Sequence, residues 1–458
     1  MKRAPWCCLW LMIASITVMA DGCSSSSSVD PASVRAQQLT GAQWVLQRAV
    51  ARGASAADTT DVTEHFPYLT VTFTSAGTYQ TSTHGGTWSL TPDETAIVFD
   101  KDSLSKVTAT IVELSADVLH ITTTAAADGT GPMDLTFMAA TKAPNYSQVN
   151  FETLWREFDA RYSFFVVKGI DWDSLHVVYR AQVTSRTDVV DLFQLLSSLL
   201  ANLRDPHVSL STPYGSYSYA GWYLPYPANY LGPAGLLRYL SEDDGTIAGG
   251  AMHYGKIGTD MGYLYVGPQL VGNATAWAQG IDLVVEKLQN CKGVIVDLRN
   301  NVGGNDALGS IVAGRFTDRS RTYSYIRWRS GPLHGDFTDY QALTIAPQGA
   351  RQFLKPVIVL TNRRCVSSAE GTLLMFKALP HVTVIGDTTA GGSANPIALT
   401  LPNGWNYRVS RWIQYTAEHE VFEGRGIAPD IPVRITSADS TAGKDTILER
   451  GIQILQGL

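Results

Sequence analysis

Apolar and polar positions alternate in short runs through the first third of the chain. The runs are Tyr68-Leu-Thr-Val-Thr-Phe-Thr74, Gly85-Gly-Thr-Trp-Ser-Leu90, Ala96-Ile-Val-Phe99, Val107 to Leu114, Val118 to Thr123 and Met133 to Met138. Hairpin-short gaps separate them, and Ala76-Gly77 supplies a turn. Alternation of period two at this spacing predicts antiparallel strands with one buried face. Residues 39–143 therefore read as a small all-β barrel or sandwich. After Pro144 the period lengthens: Phe151, Leu154, Trp155, Phe158, Tyr162 and Phe165 fall on one helical face. A second helix is predicted from Asp188 to Leu203, and Arg204-Asp-Pro-His-Val-Ser-Leu210 ends it at a proline and resumes as a strand.

From Met261 onward the pattern changes again. Gly262-Tyr-Leu-Tyr-Val266, Val294-Ile-Val-Asp-Leu298, Val357 to Leu360 and Val382-Thr-Val-Ile385 are short apolar runs. Helical segments lie between them at Ala274 to Leu288, Ala307 to Phe316 and Ser367 to Leu379. Buried strands separated by helices indicate an α/β layer whose sheet is largely covered. The stretch from Tyr214 to Ala248, rich in Gly, Tyr and Pro, predicts no regular element.

Composition changes this picture little. The 458 residues are 45% hydrophobic and 17% charged, enough for two or three domains. A net charge of -6 and the lack of a Lys/Arg cluster argue against nucleic acid as a partner. At the N-terminus, Lys2 and Arg3 precede an apolar stretch from Trp6 to Ala20 that is short for a membrane anchor, so residues 1–23 read as an export signal. Gly22-Cys23 and five following serines resemble the end of a bacterial lipoprotein signal, with Cys23 lipidated, although Ala20 stands where leucine is usual and Asp21 is an unusual neighbour. Residues 24–38 then form a flexible tether, and the membrane is a partner only through the lipid. Cys291 and Cys365 remain in the body; they could pair, but nothing resembles a disulfide framework or a zinc spacing. No metal or organic cofactor is implied.

Three segments could carry chemistry. Asp297-Leu-Arg-Asn-Asn-Val-Gly-Gly-Asn305 follows a buried strand, and its glycines Gly303 and Gly304 suit either a tight turn or close approach of backbone N–H groups to a ligand. Ser367-Ser-Ala-Glu370 fits a capping box, but a serine at a helix mouth also sits beside free N–H groups that bind an oxyanion. The N–H of Ser368 is one such donor, and Gly303 or Gly304 could supply another. A serine nucleophile needs a base, and His207, at a helix-to-strand junction, is the histidine placed for it. Glu423, among the glycines of Phe422-Glu-Gly-Arg-Gly426, could orient the ring.

Taken in order, five texts resemble the serine-peptidase family of the C-terminal processing peptidases and the tricorn core protease. They are Leu203-Arg-Asp-Pro-His-Val-Ser-Leu210, Asp297-Leu-Arg-Asn-Asn-Val-Gly-Gly304, Ser367-Ser-Ala-Glu370, Gly386-Asp-Thr-Thr-Ala-Gly-Gly392 and Glu423-Gly-Arg-Gly-Ile-Ala-Pro-Asp-Ile431. The likeness covers roughly residues 146 to 435 and implies Ser367 as nucleophile, Ser368 and Gly303 (or Gly304) as oxyanion donors, and Glu370 as support for the helix start. Gly392 stands where one branch of the family places a catalytic lysine. The resemblance is therefore to the tricorn-like branch, with His207 as base and Glu423 behind it. It further implies a helical cap at 146–212 and a crotonase-like (ClpP-like) core at 261–440, with a C-terminal helix at 441–458. Only positions 208 to 262 separate His207 from Tyr263, so 213–260 is expected to be an irregular linker without the PDZ domain of many relatives. Residues 39–143, through Gly41-Ala-Gln-Trp44 and Gly86-Thr-Trp88, resemble lipocalin-like accessory domains of bacterial lipoproteins, with both tryptophans in the core.

The expected function is that of a cell-envelope serine endopeptidase acting on proteins or peptides. The competing readings are a catalytically silent scaffold that binds peptide, lipid or glycan, and, more remotely, a crotonase-like enzyme acting on thioesters. The oligomeric state stays open.

Overall fold

The computed structural model describes residues 33–53, 59–66, 69–81, 85–101, 103, 106–124, 132–142, 146–184 and 186–458. The expected signal with Cys23, and tether residues 24–32, lie outside them. The chain forms two compact units that do not follow chain order. One holds Met1–Arg156, Ser174–Leu196 and Thr400–Trp405; the other holds Glu157–Asp173, Ser197–Leu399 and Asn406–Leu458.

The first unit is built on a closed antiparallel barrel. Strand Gln43–Arg52 pairs with Thr70–Phe73 on one side and with Met133–Ala139 on the other, in register from Trp44↔Ala139 to Ala51↔Met133. Between these, Thr78–Thr81, Gly85–Leu90, Ala96–Phe99, Val107–Leu114 and Val118–Thr123 pair in sequence. Closure leaves no unpaired edge in the ring. Trp44 and Trp88 are fully buried inside it with Phe73, Ile97, Ala109 and Leu119. Each indole N–H finds a carbonyl, Trp44 that of Leu39 at 3.0 Å and Trp88 that of Thr74 at 3.1 Å. The tether expected up to Gln38 gives way at Val34 to a helix, Val34–Thr40, capped by Ser33 and buried through Ala36 and Leu39. Its apolar face is too short for periodicity to reveal.

The second unit carries a seven-stranded sheet in the order Glu242–Ile247, Met252–Ile257, Met261–Val266, Gly293–Asp297, Val357–Thr361, Val382–Gly386 and Ile431–Pro432. From Met261 on the pairings are parallel. Strand residues alternate between two cores, as the pleat demands. Val294, Val296, Val357 and Val359 face the helices Ala274–Leu288 and Ser368–Lys377 through Trp277, Ile281, Leu373 and Phe376. Ile295, Ile358, Leu360 and Ile385 face Ile447, Leu448 and Leu455 of the last helix, Thr446–Gln456. That helix is shorter than the expected 441–458 segment, whose start belongs to the separate turn of helix Ser437–Thr441.

Residues 213–260 are irregular only in part: 219–232 hold no helix or strand, but Gly215–Ser218 is a strand and regular elements resume at Pro233. Strands Glu242–Ile247 and Met252–Ile257 extend the main sheet antiparallel, and Pro233–Leu237 is a short helix. Glu242-Asp-Asp-Gly is poor strand material by propensity, and the ladder to its neighbour overrides that preference. Cys291 and Cys365 are both buried and free.

Candidate active site

The buried strand Val357–Thr361 leads through a tight turn to Ser367, and Ser368 opens the helix Ser368–Lys377. Ser367 holds φ +62° and ψ -129°, a conformation that costs a non-glycine residue about 1–3 kcal/mol unless its surroundings enforce it. Glu370 enforces it. Its Oε2 accepts from the N–H of Ser367 at 3.1 Å and of Gly392 at 2.8 Å. Its Oε1 accepts from Gly391 N–H at 2.7 Å and from Thr389 Oγ1 at 2.5 Å. Burial pushes this carboxyl up to about 7 even with those four donors aimed at it. Ser367 and Glu370 are arranged as a capping box, with the Glu370 carboxylate on the Ser367 N–H and the Glu370 N–H donating to the Ser367 carbonyl at 2.8 Å. Ser367 lines a cavity of about 370 Å³ together with His207, Gly303, Gly304, Ser368 and Arg408.

Gly303 and Gly304 hold φ +85° and +138°. A Cβ on Gly303 would lie 2.7–2.8 Å from Val366 O, Ser367 Cβ and Ser368 N, so only glycine lets this loop touch the serine. The Gly303 N–H is taken by Asn301 Oδ1 at 2.8 Å. Among the described residues, the N–H groups of Gly304 and Ser368 meet no protein acceptor. Ser368 Oγ donates to the Gly304 carbonyl at 2.7 Å and holds the two together.

His207 arrives from the other side of the cavity. Helix Val189–Ala201 ends, Arg204 takes φ +44°, and Asp205 Oδ1 accepts the His207 N–H at 2.8 Å. This is an Asx turn, stiffened by Pro206, that fixes the ring just before strand Ser209–Thr212. Burial lowers the imidazole to about 4, outweighing the opposing pull of Asp205. At pH 7 the ring is neutral, as a general base requires. Its Nδ1 is buried without a hydrogen bond, and the carboxylate within 4.0 Å of it is Asp205. Ser367 and His207 line the same cavity, and no hydrogen bond joins the Ser367 hydroxyl to the ring.

Glu423 is fully buried, but its partners are others. Oε2 accepts from Ser393 N–H at 2.9 Å, and Oε1 is 2.9 Å from Lys168 Nζ. Burial pushes Glu423 up to about 7 against the pull of Lys168. A Cβ on Gly392 would lie 2.8 Å from Pro206 Cγ and 3.2 Å from His207 Cε1. Val366 Cγ2 lies as near, at 2.8 Å, so a side chain at 392 would crowd the turn that carries His207.

Comparison with known proteins places this geometry. A model of peptidase family S41 matches residues 260–433, and one of the tricorn protease C1 domain matches residues 145–201. A solved structure from Parabacteroides merdae, assigned as a peptidase, superposes with a TM-score of 0.62 at 35% identity, covering 67% of this chain and 95% of that one. The chain belongs to peptidase family S41.

Two curated relatives are more distant. The carboxy-terminal processing protease CtpA of Bacillus subtilis is 25% identical over 149 residues, 32% of this chain and 30% of that protein. The nisin-resistance protein of Lactococcus lactis is 25% identical over 178 residues, 36% of this chain and 54% of that protein. The chain thus spans only about a third to a half of these relatives. Within the peptidase, Ser367, Ser368, Gly303, Gly304 and His207 come together around one cavity, while Glu423 joins Lys168 behind it. Sequence reasoning passed over Asp205 and Lys168. Asp205 had a signal, since Asp two residues before His with Pro between them is an Asx-turn text. Lys168 had none, because its partners lie far along the chain.

Proposed function

We propose that the peptidase is a cell-envelope serine endopeptidase that cleaves proteins or peptides through an acyl-enzyme, with Ser367 as nucleophile, His207 as base and Glu423 as the supporting carboxylate. What carries this reading is that Ser367, held at a strained φ at a helix mouth, lines one cavity with a neutral His207 and the free N–H groups of Gly304 and Ser368. Ser367 Oγ adds to the scissile carbonyl carbon while His207 takes its proton. The oxyanion settles on the N–H groups of Gly304 and Ser368, with Gly303 shaping the turn; one such donor is typically worth about 3 kcal/mol of barrier. His207 returns the proton to the leaving amine, and water repeats the cycle on the acyl-enzyme. Attachment to the membrane is assigned to a lipid on Cys23; among the described residues no helix is long and apolar enough to cross a bilayer.

The test is a fluorophosphonate applied to the purified mature protein, with the adduct located by peptide mass spectrometry. The reading expects an adduct on Ser367 that is lost in Ser367→Ala and falls by several orders of magnitude in His207→Ala. A folded wild-type protein that never labels would instead be the silent scaffold.

A further inference from the structure

Behind the imidazole lies a buried set of charges of which the mechanism above uses only Glu423. Lys168 closes the short helix Phe165–Lys168, and Gly169 in the left-handed conformation turns the chain away. Its ammonium lies 2.9 Å from Glu423 Oε1 and 3.8 Å from Asp205 Oδ2, with only 12% of the side chain exposed. It also donates to the carbonyls of Leu203 at 3.2 Å and Arg204 at 3.3 Å. One cation thus ties the Glu423 loop to the turn that carries Asp205 and His207. Above about pH 7, where Glu423 ionises, two carboxylates around one ammonium leave a negative charge uncompensated in a dry place. His207 Nδ1, buried and without a partner, stands beside that excess.

We propose that Lys168 is a positioning residue of the peptidase site, holding Glu423 and Asp205 as a two-carboxylate cradle behind His207. The proton that leaves Ser367 Oγ makes His207 a cation, and the cradle's surplus negative charge is neutralised by it. When His207 hands the proton to the leaving amine, the surplus returns. Without Lys168 the ionised cradle would carry two unpaired negative charges, which would draw a proton onto the ring before the reaction starts. The inference rests on the Ser367/His207 reading.

The other groups facing this cluster do not reverse the logic. Arg408, paired in register with Ser209, adds positive charge on the cavity side. Tyr162 and Tyr217 face Asp205, and burial pushes both phenols upward, so they stay neutral. Asp205 itself is kept below the usual carboxylate range: burial opposes its charge, but Lys168 and His207 outweigh that.

The test measures the fluorophosphonate labelling rate of Ser367 between pH 4 and 9 in wild type, Lys168→Met and Lys168→Arg. Loss of the cation is expected to move the acid limb up by roughly one pH unit and to slow labelling at pH 7.5 about tenfold. Lys168→Arg is expected to keep the limb within about 0.3 units of wild type, whatever its rate. Should Lys168→Met not fold, Lys168→Gln, which retains donors for both carbonyls, takes its place. A charge-removing variant that folds and keeps the wild-type limb overturns the proposal and reduces Lys168 to a structural ion pair. Failure of wild type to label is a different result and overturns the peptidase reading itself.

Discussion

Ser367 holds a strained backbone at the helix mouth, and Glu370 is the residue that sustains it. Glu370→Gln would turn an amide group toward N–H donors that need acceptors, costing roughly 1–3 kcal/mol for each donor stranded. We expect a lowered denaturation midpoint together with slower labelling of Ser367, since the loop 389–392 and the serine amide hang on the same carboxylate. Gly304→Ala acts differently. Its Cβ would lie 2.3 Å from the Leu270 carbonyl at φ +138°, so the loop must shift and carry an oxyanion donor away; labelling should drop by about 10²-fold. His207 sets the pH dependence. A base works only while deprotonated, so activity is kept above its pKa and lost as pH falls through it. With the ring lowered to about 4 by burial, the acid limb in wild type should lie well below the 6.5 of an unperturbed imidazole. A limb near 6.5 would show the ring to be solvated in solution.

At the scale of elements, the loop after strand Gly293–Asp297 is anchored from beneath. Arg299 is fully buried; it donates to Asp297 at 2.7–3.2 Å and to both oxygens of Asp445 at 2.9 Å. Asp445 also caps the last helix, accepting the N–H of Leu448 at 3.0 Å. Removing one partner of a buried ion pair typically costs 3–5 kcal/mol, so Asp445→Ala should lose at least that much in denaturant unfolding and slow Ser367 labelling as well. The strands and helices that build this region were legible: Val294 to Leu298 and Val357 to Leu360 are apolar runs of strand length between helical periods. The antiparallel extension Glu242–Ile247 was not, because its acidic residues lie at a sheet edge where pairing alone decides. Nor was the helix Val34–Thr40, too brief for a period to show.

For the whole molecule, the fold class followed from periodicity, because alternation of two and of 3.6 marks barrel and layered sheet without knowledge of their contacts. The site followed only in part. Ser367, Ser368, Gly303, Gly304 and His207 sit in texts whose local geometry is encoded within a few residues, so their meeting at one cavity could be expected from sequence. The placement of Glu423 depends on Lys168, and their contact joins segments far apart in the chain; neither composition nor spacing announces it. The same holds for the division into two units, since Thr400–Trp405 groups with the barrel's unit while its flanking residues do not.

The anchoring of Arg299 by Asp445 has a consequence in time. The loop that bears Gly303 and Gly304 is made before the helix that completes its anchor, because Asp445 follows Arg299 by 146 positions in the chain. Until Thr446–Gln456 docks, Arg299 lacks one of its two counter-ions and the sheet beneath the loop lacks Ile447, Leu448 and Leu455. A growing chain therefore carries an incompletely anchored Gly303–Gly304 loop until Asp445 and the helix it caps have been made.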